Sequence, residues 1–216
     1  TGISLTSTQS PSFSWMQLND FTDFAIRGSS VSGFSLTNSV INGVNGDNAA
    51  ADEGSVRFTG LTGSATISDT SISGGFEDNF KLINTTGNLN RITFSNVTIG
   101  ANSTTDGNDG IGIESTGAAT VVNVTVQNSF FTSSRGDLFQ LNVLGNSTAD
   151  LVFTGNTLSN NHPGIATGGG GVTISGGDNT GTGANLTMNM SNNTFRDADG
   201  HAVLFVKSTD PGTFRG

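Results

Sequence analysis

Short stretches of alternating apolar and polar residues recur along the whole chain. Most fit the pattern Φ-x-Φ-x-[N/D]-x-x-Φ, in which Φ is an apolar residue and x is any residue. The copies are FSLTNSVI (34–41), ATISDTSI (65–72), ITFSNVTI (92–99), VTVQNSFF (124–131), LVFTGNTL (151–158, with glycine at the polar position) and MNMSNNTF (188–195). Alternation with a period of two is typical of half-buried β-strands, and no helical period is sustained. The pattern predicts an all-β fold.

A second, shorter apolar element precedes each copy. Its occurrences are FAI (24–26), VRF (56–58), FKL (80–82), IGI (111–113), FQL (139–141), VTI (172–174) and VLF (203–205). Successive starts lie 24–33 residues apart, and GISL at 2–5 indicates an earlier, shorter turn. Parallel strands need connections of a dozen residues or more, which this spacing supplies.

The ordered repeat predicts a parallel β-solenoid of seven to eight coils, with 24–33 residues per coil, over a single domain of residues 1–216. At about 4.8 Å per coil the rod is on the order of 35 Å long. Phe80, Phe94, Phe139 and Phe153 are expected to stack inside it. The alternative is an antiparallel sandwich with tight turns at Asn42-Gly43 and Asn45-Gly46.

The repeated elements resemble the right-handed parallel β-helix, or pectate-lyase-like, superfamily. They are most similar to the Gly/Asn/Thr-rich β-helix segments of large bacterial secreted and surface proteins. The resemblance covers essentially the whole chain and implies right-handed coiling with three short sheets per circuit. It implies no particular reaction, because the fold carries lyases, hydrolases, adhesins and inert stalks alike.

Two columns of polar residues follow from stacking the repeats. The first is a structural ladder at the [N/D] position: Asn38, Asp69, Asn96, Asn128 and Asn192. Asparagine and aspartate tolerate the left-handed backbone of a corner, and stacked amides can hydrogen-bond from coil to coil. We interpret this column as architecture.

The second column is acidic. Asp78, Asp109 and Asp137 each lie two residues before a first strand, and Asp106 lies close to Asp109. Carboxylates about 5 Å apart repel one another, which raises their pKa or attracts a cation. The alternative is that each aspartate caps a turn by accepting from backbone N–H groups. The fold requires no cofactor. The one ligand that the pattern suggests is Ca²⁺, bound weakly by these four residues.

Composition limits the classes of partner. With 17 acidic against 8 basic residues the net charge is −9, which argues against nucleic acid, and no apolar run is long enough to insert into a membrane. Cysteine is absent, so disulfides and thiol chemistry are excluded. Few lysines and a Ser/Thr/Asn/Gly-rich surface favour an extracellular or cell-surface location.

Two functions remain. The first is a noncatalytic structural β-solenoid: an adhesin stalk, a passenger domain or a filament subunit. Neither end shows a cap, so we expect a segment of a longer chain or of a self-assembling rod. Its partners would be copies of itself end to end, flanking coils, and host or cell-surface glycans. The second is a polysaccharide lyase or glycoside hydrolase, for which Arg57, Lys81 and Glu114 form the candidate ligand face.

Overall fold

The computed structural model describes residues 1–117, 120–162 and 170–216. These residues form parallel β-strands and one short 3₁₀ helix, Ala49–Ala51. In chain order the strands are β1 (Ile3–Thr6), β2 (Ser12–Ser14), β3 (Gln17–Asn19), β4 (Ile26–Thr37), β5 (Val40–Asn42), β6 (Val56–Ser68), β7 (Ser71–Ile72), β8 (Phe80–Asn84), β9 (Asn88–Ser95), β10 (Thr98–Ile99), β11 (Ile111–Ser115), β12 (Val121–Gln127), β13 (Phe130–Phe131), β14 (Phe139–Val143), β15 (Thr148–Thr154), β16 (Thr157–Ser159), β17 (Val172–Gly176), β18 (Asn185–Ser191), β19 (Thr194–Arg196), β20 (Val203–Lys207) and β21 (Thr213–Arg215).

The strands lie in three parallel stacks, so the predicted β-solenoid is confirmed and the antiparallel sandwich is wrong. The first stack contains β1, the first half of β4, the first half of β6, β8, β11, β14, β17 and β20. The second contains β2, the second halves of β4 and β6, β9, β12, β15, β18 and β21. The third contains β3, β5, β7, β10, β13, β16 and β19.

The solenoid has about six turns, fewer than the seven to eight predicted. The difference arises at the ends, because counting sequence elements gives full weight to short or incomplete coils. The first coil has strands of only three or four residues. Among the described residues, the last coil ends with β21 in the second stack and adds no strand to the third.

The register of the first stack corrects one alignment made from the sequence. Ile26, rather than Phe24, pairs with Val56, so Gly28 stands opposite Phe58. A Cβ at Gly28 would lie 2.3 Å from the Phe58 ring, which therefore occupies the space that a side chain would need. An apolar pattern cannot detect a core position that holds glycine, and the spacing from β4 to β6 is accordingly 30 residues rather than 32.

The core runs along the inside of the coil without interruption. Phe80, Phe94, Phe139 and Phe153 are fully buried, as predicted. Their rings pack in pairs, with centroids 5.0 Å apart for Phe80–Phe94 and 5.2 Å for Phe139–Phe153. Each coil contacts its neighbours, so stability accumulates from coil to coil.

Candidate functional site

The acidic column lies where the chain enters the first stack. Asp78, Asp109 and Asp137 precede β8, β11 and β14, and their exposed fractions are 2%, 2% and 9%. The parallel register places these three equivalent positions on successive coils. Three carboxyl groups are therefore buried in a row parallel to the solenoid axis.

Each carboxyl group in this row accepts a hydrogen bond from the backbone of the next coil. The Asp109 N–H donates to Asp78 Oδ1 at 2.8 Å, and the Asp137 N–H donates to Asp109 Oδ1 at 2.9 Å. The Gly170 N–H donates to Asp137 Oδ1 at 3.2 Å. One oxygen of every aspartate thus satisfies a buried backbone donor, which is the role of a turn cap.

The second oxygens of Asp78 and Asp109 are both buried and accept no hydrogen bond. They differ in their distance from a cation, because Asp78 Oδ2 forms an ion pair with Lys81 Nζ at 3.3 Å. Gly112 leaves room for Lys81, because a Cβ at Gly112 would lie 3.3 Å from Lys81 Nζ and 3.4 Å from Asp109 Oδ2. The small residue on β11 therefore lets one cation reach two rungs of the acidic row.

Burial and mutual repulsion shift the protonation of this cluster. Burial, reinforced by the charges of Asp78 and Asp137, raises the pKa of Asp109 to about 8, although Lys81 opposes the shift. Burial also raises the pKa of Asp78 against the attraction of Lys81. Burial lowers the pKa of Lys81, but the charges of Asp78, Asp109 and Asp52 outweigh it and the net shift is upward.

A pair of carboxyl groups borders the cluster. Burial and a hydrogen bond with Asp52 raise the pKa of Glu77 to about 7. Asp52 also contacts Arg57, whose Nη2 lies 2.9 Å from Asp52 Oδ2. Near neutral pH Glu77 therefore titrates.

The structure separates two of the predicted residues from this cluster. Asp106 lies exposed in a turn, where its N–H donates to Ser103 Oγ at 3.2 Å. Glu114 aligns with Ile83 and Asn142, two residues beyond the position that pairs with Lys81. Arg57 and Lys81 are in register on adjacent coils, but each is paired with its own aspartate.

No three acidic or histidine side chains in the described ranges (1–117, 120–162 and 170–216) are arranged to hold a metal ion. The predicted calcium residues divide into three buried rungs and one exposed turn residue. An ionised and accessible group of oxygens is what Ca²⁺ requires. Calcium binding at this column therefore stays a prediction.

The polar ladder predicted at the [N/D] position occupies the corner between the second and third stacks. Asn38, Asp69, Asn96, Asn128 and Asn192 all have positive φ, between 50° and 57°, and Gly155 holds the same place with φ 69°. The backbone N–H of every one except Asn192 donates to the neighbouring coil, as from Asn38 to Ser68 O at 3.1 Å. Their side chains are exposed, and Asn96 Nδ2 donates to Asp69 Oδ1 at 2.7 Å.

A second ladder, one residue further along, was missed from the sequence. Its members are Ser39, Thr70, Ser129, Asn156 and Asn193. Each accepts a hydrogen bond from the backbone of the preceding coil, as Asn156 Oδ1 does from the Ser129 N–H at 3.0 Å. Four are nearly fully buried. The available signal was the Ser, Thr or Asn that follows the turn residue in five of the six copies.

Comparison of the chain with protein-family models, with curated proteins and with solved structures found no match. Within the part of the chain that the structure describes, no helix has the length and apolar character needed to cross a membrane. What the structure establishes is a parallel β-solenoid, an architecture consistent with the β-helix superfamily.

Proposed function

We propose that the chain is a noncatalytic, extracellular structural β-solenoid of the right-handed, pectate-lyase-like kind, which acts as an adhesin stalk, passenger domain or filament subunit. Three features support this. Three stacks per circuit fit that superfamily, both hydrogen-bonded ladders join coil to coil, and the acidic, cysteine-free composition fits an extracellular rod.

One observation carries the proposal. The core column that starts at Leu5 continues through Phe58, Leu82 and Ile174 and reaches Phe205 on β20. Ile174 is fully buried, but Phe205 is 51% exposed. Its ring points where the next coil would place its own core residue.

A further coil stacked on β20 and β21 would bury this ring and satisfy the strand edges. Burying one phenylalanine contributes about 1.5–3 kcal/mol, and unpaired strand edges readily add strands. The occupant is therefore a parallel β-coil, supplied by this chain's own flanking sequence or by another copy end to end.

The test compares Phe205→Ser with Leu204→Ser. Leu204 is 40% exposed and aligns with Thr173 on the outer face, so it is the matched control. With copies as the occupant, light scattering and electron microscopy should show rods that lengthen with concentration, shortened by Phe205→Ser alone. With flanking sequence as the occupant, the complete gene product should show one longer rod. A compact particle under both conditions would overturn the proposal.

The second candidate is a polysaccharide lyase or hydrolase, and the Asp52–Glu77 pair favours it. A carboxyl group with a pKa near 7 is suited to general acid–base catalysis, and Arg57 and Lys81 lie beside it. Activity on pectins, alginates or glucans that disappears in Glu77→Gln, but not in Asp106→Asn, would replace the structural proposal.

A further inference from the structure

Trp15 occupies the corner position that holds an asparagine, aspartate or glycine in each of the later coils. Its backbone N–H donates to Thr37 O at 3.1 Å, just as Asn38 donates to Ser68 O at 3.1 Å one coil later. Trp15 is therefore the first member of the column that continues with Asn38, Asp69 and Asn96. Its φ is +59°, in the left-handed region.

A bulky side chain is a poor choice for that backbone. Asparagine, aspartate and glycine adopt positive φ with little strain, whereas for a large residue it is an outlier of the kind that clusters at functional sites. Burial of the side chain does not offset this backbone strain, because 76% of Trp15 is exposed. Neither the corner nor the core accounts for tryptophan here.

A shallow groove of about 430 Å³ begins at the Trp15 ring. Its polar lining comes from Gln17, Asn38, Asp69, Ser71, Asn96 and Thr98. These residues belong to two columns, the turn column and the outward face of the third stack, so their side chains repeat once per coil along the rod.

A second exposed aromatic residue lies one coil beyond the last residues that line the groove. Phe130 pairs with Thr98 on the next coil and is 49% exposed. Trp15 and Phe130 are four coils apart, so at about 4.8 Å per coil they are separated by roughly 19 Å along the axis. The strip from Trp15 to Phe130 thus has an aromatic residue at each end, with amide, hydroxyl and carboxylate groups and the side chain of Val40 between them.

We propose that this strip binds a neutral, extended oligosaccharide that runs parallel to the solenoid axis. Aromatic rings pack on the apolar C–H faces of sugar rings, and amides and hydroxyls exchange hydrogen bonds with sugar hydroxyls. The coil spacing is comparable with the advance of one sugar unit in an extended β-linked chain. The net charge of −9 disfavours anionic glycans, which selects neutral ones.

Trp15 provides a direct readout, because it is the only tryptophan and the chain has no tyrosine. Cellohexaose, xylohexaose, mannohexaose and chitohexaose are titrated into the purified protein while tryptophan emission is recorded. At least one should shift the emission saturably, with longer oligomers binding more tightly until the strip is filled. If none of the four shifts the emission, the proposal is overturned.

Variants then separate binding from folding, with affinities measured by calorimetry. Trp15→Asn installs the residue that the neighbouring coils use, so it should fold and melt no lower than wild type while binding roughly tenfold or more weakly. Thr98→Ala, inside the strip, should weaken binding, whereas Thr194→Ala, which is exposed on the same stack beyond Phe130, should not. Wild-type affinity in Trp15→Asn would overturn the assignment.

This inference deepens the proposed extracellular role and rests on it for access to the glycan. The two proposals are tested by different measurements, so either can be overturned without the other. A soluble oligosaccharide titration reports on the side of the rod, while particle length and the Phe205→Ser variant report on its end.

Discussion

The backbone N–H of Asp109 donates a 2.8 Å hydrogen bond to Oδ1 of Asp78 on the preceding coil. The same relationship recurs between Asp137 and Asp109, so the acidic row joins consecutive coils through backbone donors. The hydrogen bonds favour ionised acceptors, while burial and repulsion favour neutral ones. Burial prevails at Asp109, whose pKa is raised to about 8.

Stability should consequently depend on pH in the acid-to-neutral range. Below about pH 4, Asp109 is protonated in both the folded and unfolded states; between there and about pH 8 only the folded state holds its proton. The free energy of unfolding should therefore fall as pH rises towards 8, and Glu77, raised to about 7, acts in the same direction. Denaturant titrations across this range measure the slope.

The variant Asp109→Asn should flatten that slope. The amide keeps an acceptor for the Asp137 N–H but cannot ionise, so the variant should be more stable than wild type near pH 8 and should lose this advantage as pH falls towards 4. Asp106→Asn, in the exposed turn, is the control and should leave the slope unchanged. An unaltered pH profile in Asp109→Asn would contradict the assignment.

Calcium binding at the acidic row should follow the same titration. Because Asp109 holds its proton below about pH 8, Ca²⁺ should raise the melting temperature at about pH 9 and have little effect at about pH 6. Thermal melts with Ca²⁺ and with chelator at both pH values test this. Equal melting temperatures at the higher pH would end the calcium hypothesis.

The contact between Gly28 and Phe58 should be sensitive to a single methyl group. Gly28→Ala places a Cβ 2.3 Å from the ring, so it should lower the free energy of unfolding by about 1–3 kcal/mol. Phe58→Leu removes part of the obstacle, and the double variant should be more stable than the sum of the single effects implies. Additive effects in chemical denaturation would mean that the two residues do not compete for space.

Removing a side chain from the buried polar ladder should cost more stability than removing an exposed asparagine side chain from a strand. Asn156 accepts from the Ser129 N–H and donates to Val126 O at 3.0 Å. Asn156→Ala would remove both hydrogen bonds and leave the buried Ser129 N–H without its acceptor, so it should destabilise by about 1–3 kcal/mol. Asn189→Ala, on the exposed side of β18, should change stability by less than about 0.5 kcal/mol. Similar losses in the two variants would contradict the assigned role of Asn156.

The repeat could be recognised in the sequence because every coil buries apolar residues at equivalent positions. Phe80, Phe139 and Ile111 align as expected, and so do Phe94 and Phe153 through the intervening Val126. Gly28 broke the alignment because the side chain that fills its place belongs to another coil. The ladder through Ser39 and Asn156 was missed because an inward polar residue looks the same in sequence as an exposed one.

The sequence by itself determined a coiled stack of parallel strands, since alternation, order and spacing allow few other solutions. Only the tertiary structure decided which polar residues are buried between coils and which are exposed to solvent. Asp106 and Asp109 are near neighbours in sequence, yet one is exposed in a turn and the other buried beside Asp78. The apolar pattern did not distinguish Trp15, whereas the stacking of the coils showed that it is the first member of the column that continues with Asn38 and Asp69. Such distinctions depend on contacts between coils some thirty residues apart, which local sequence does not encode.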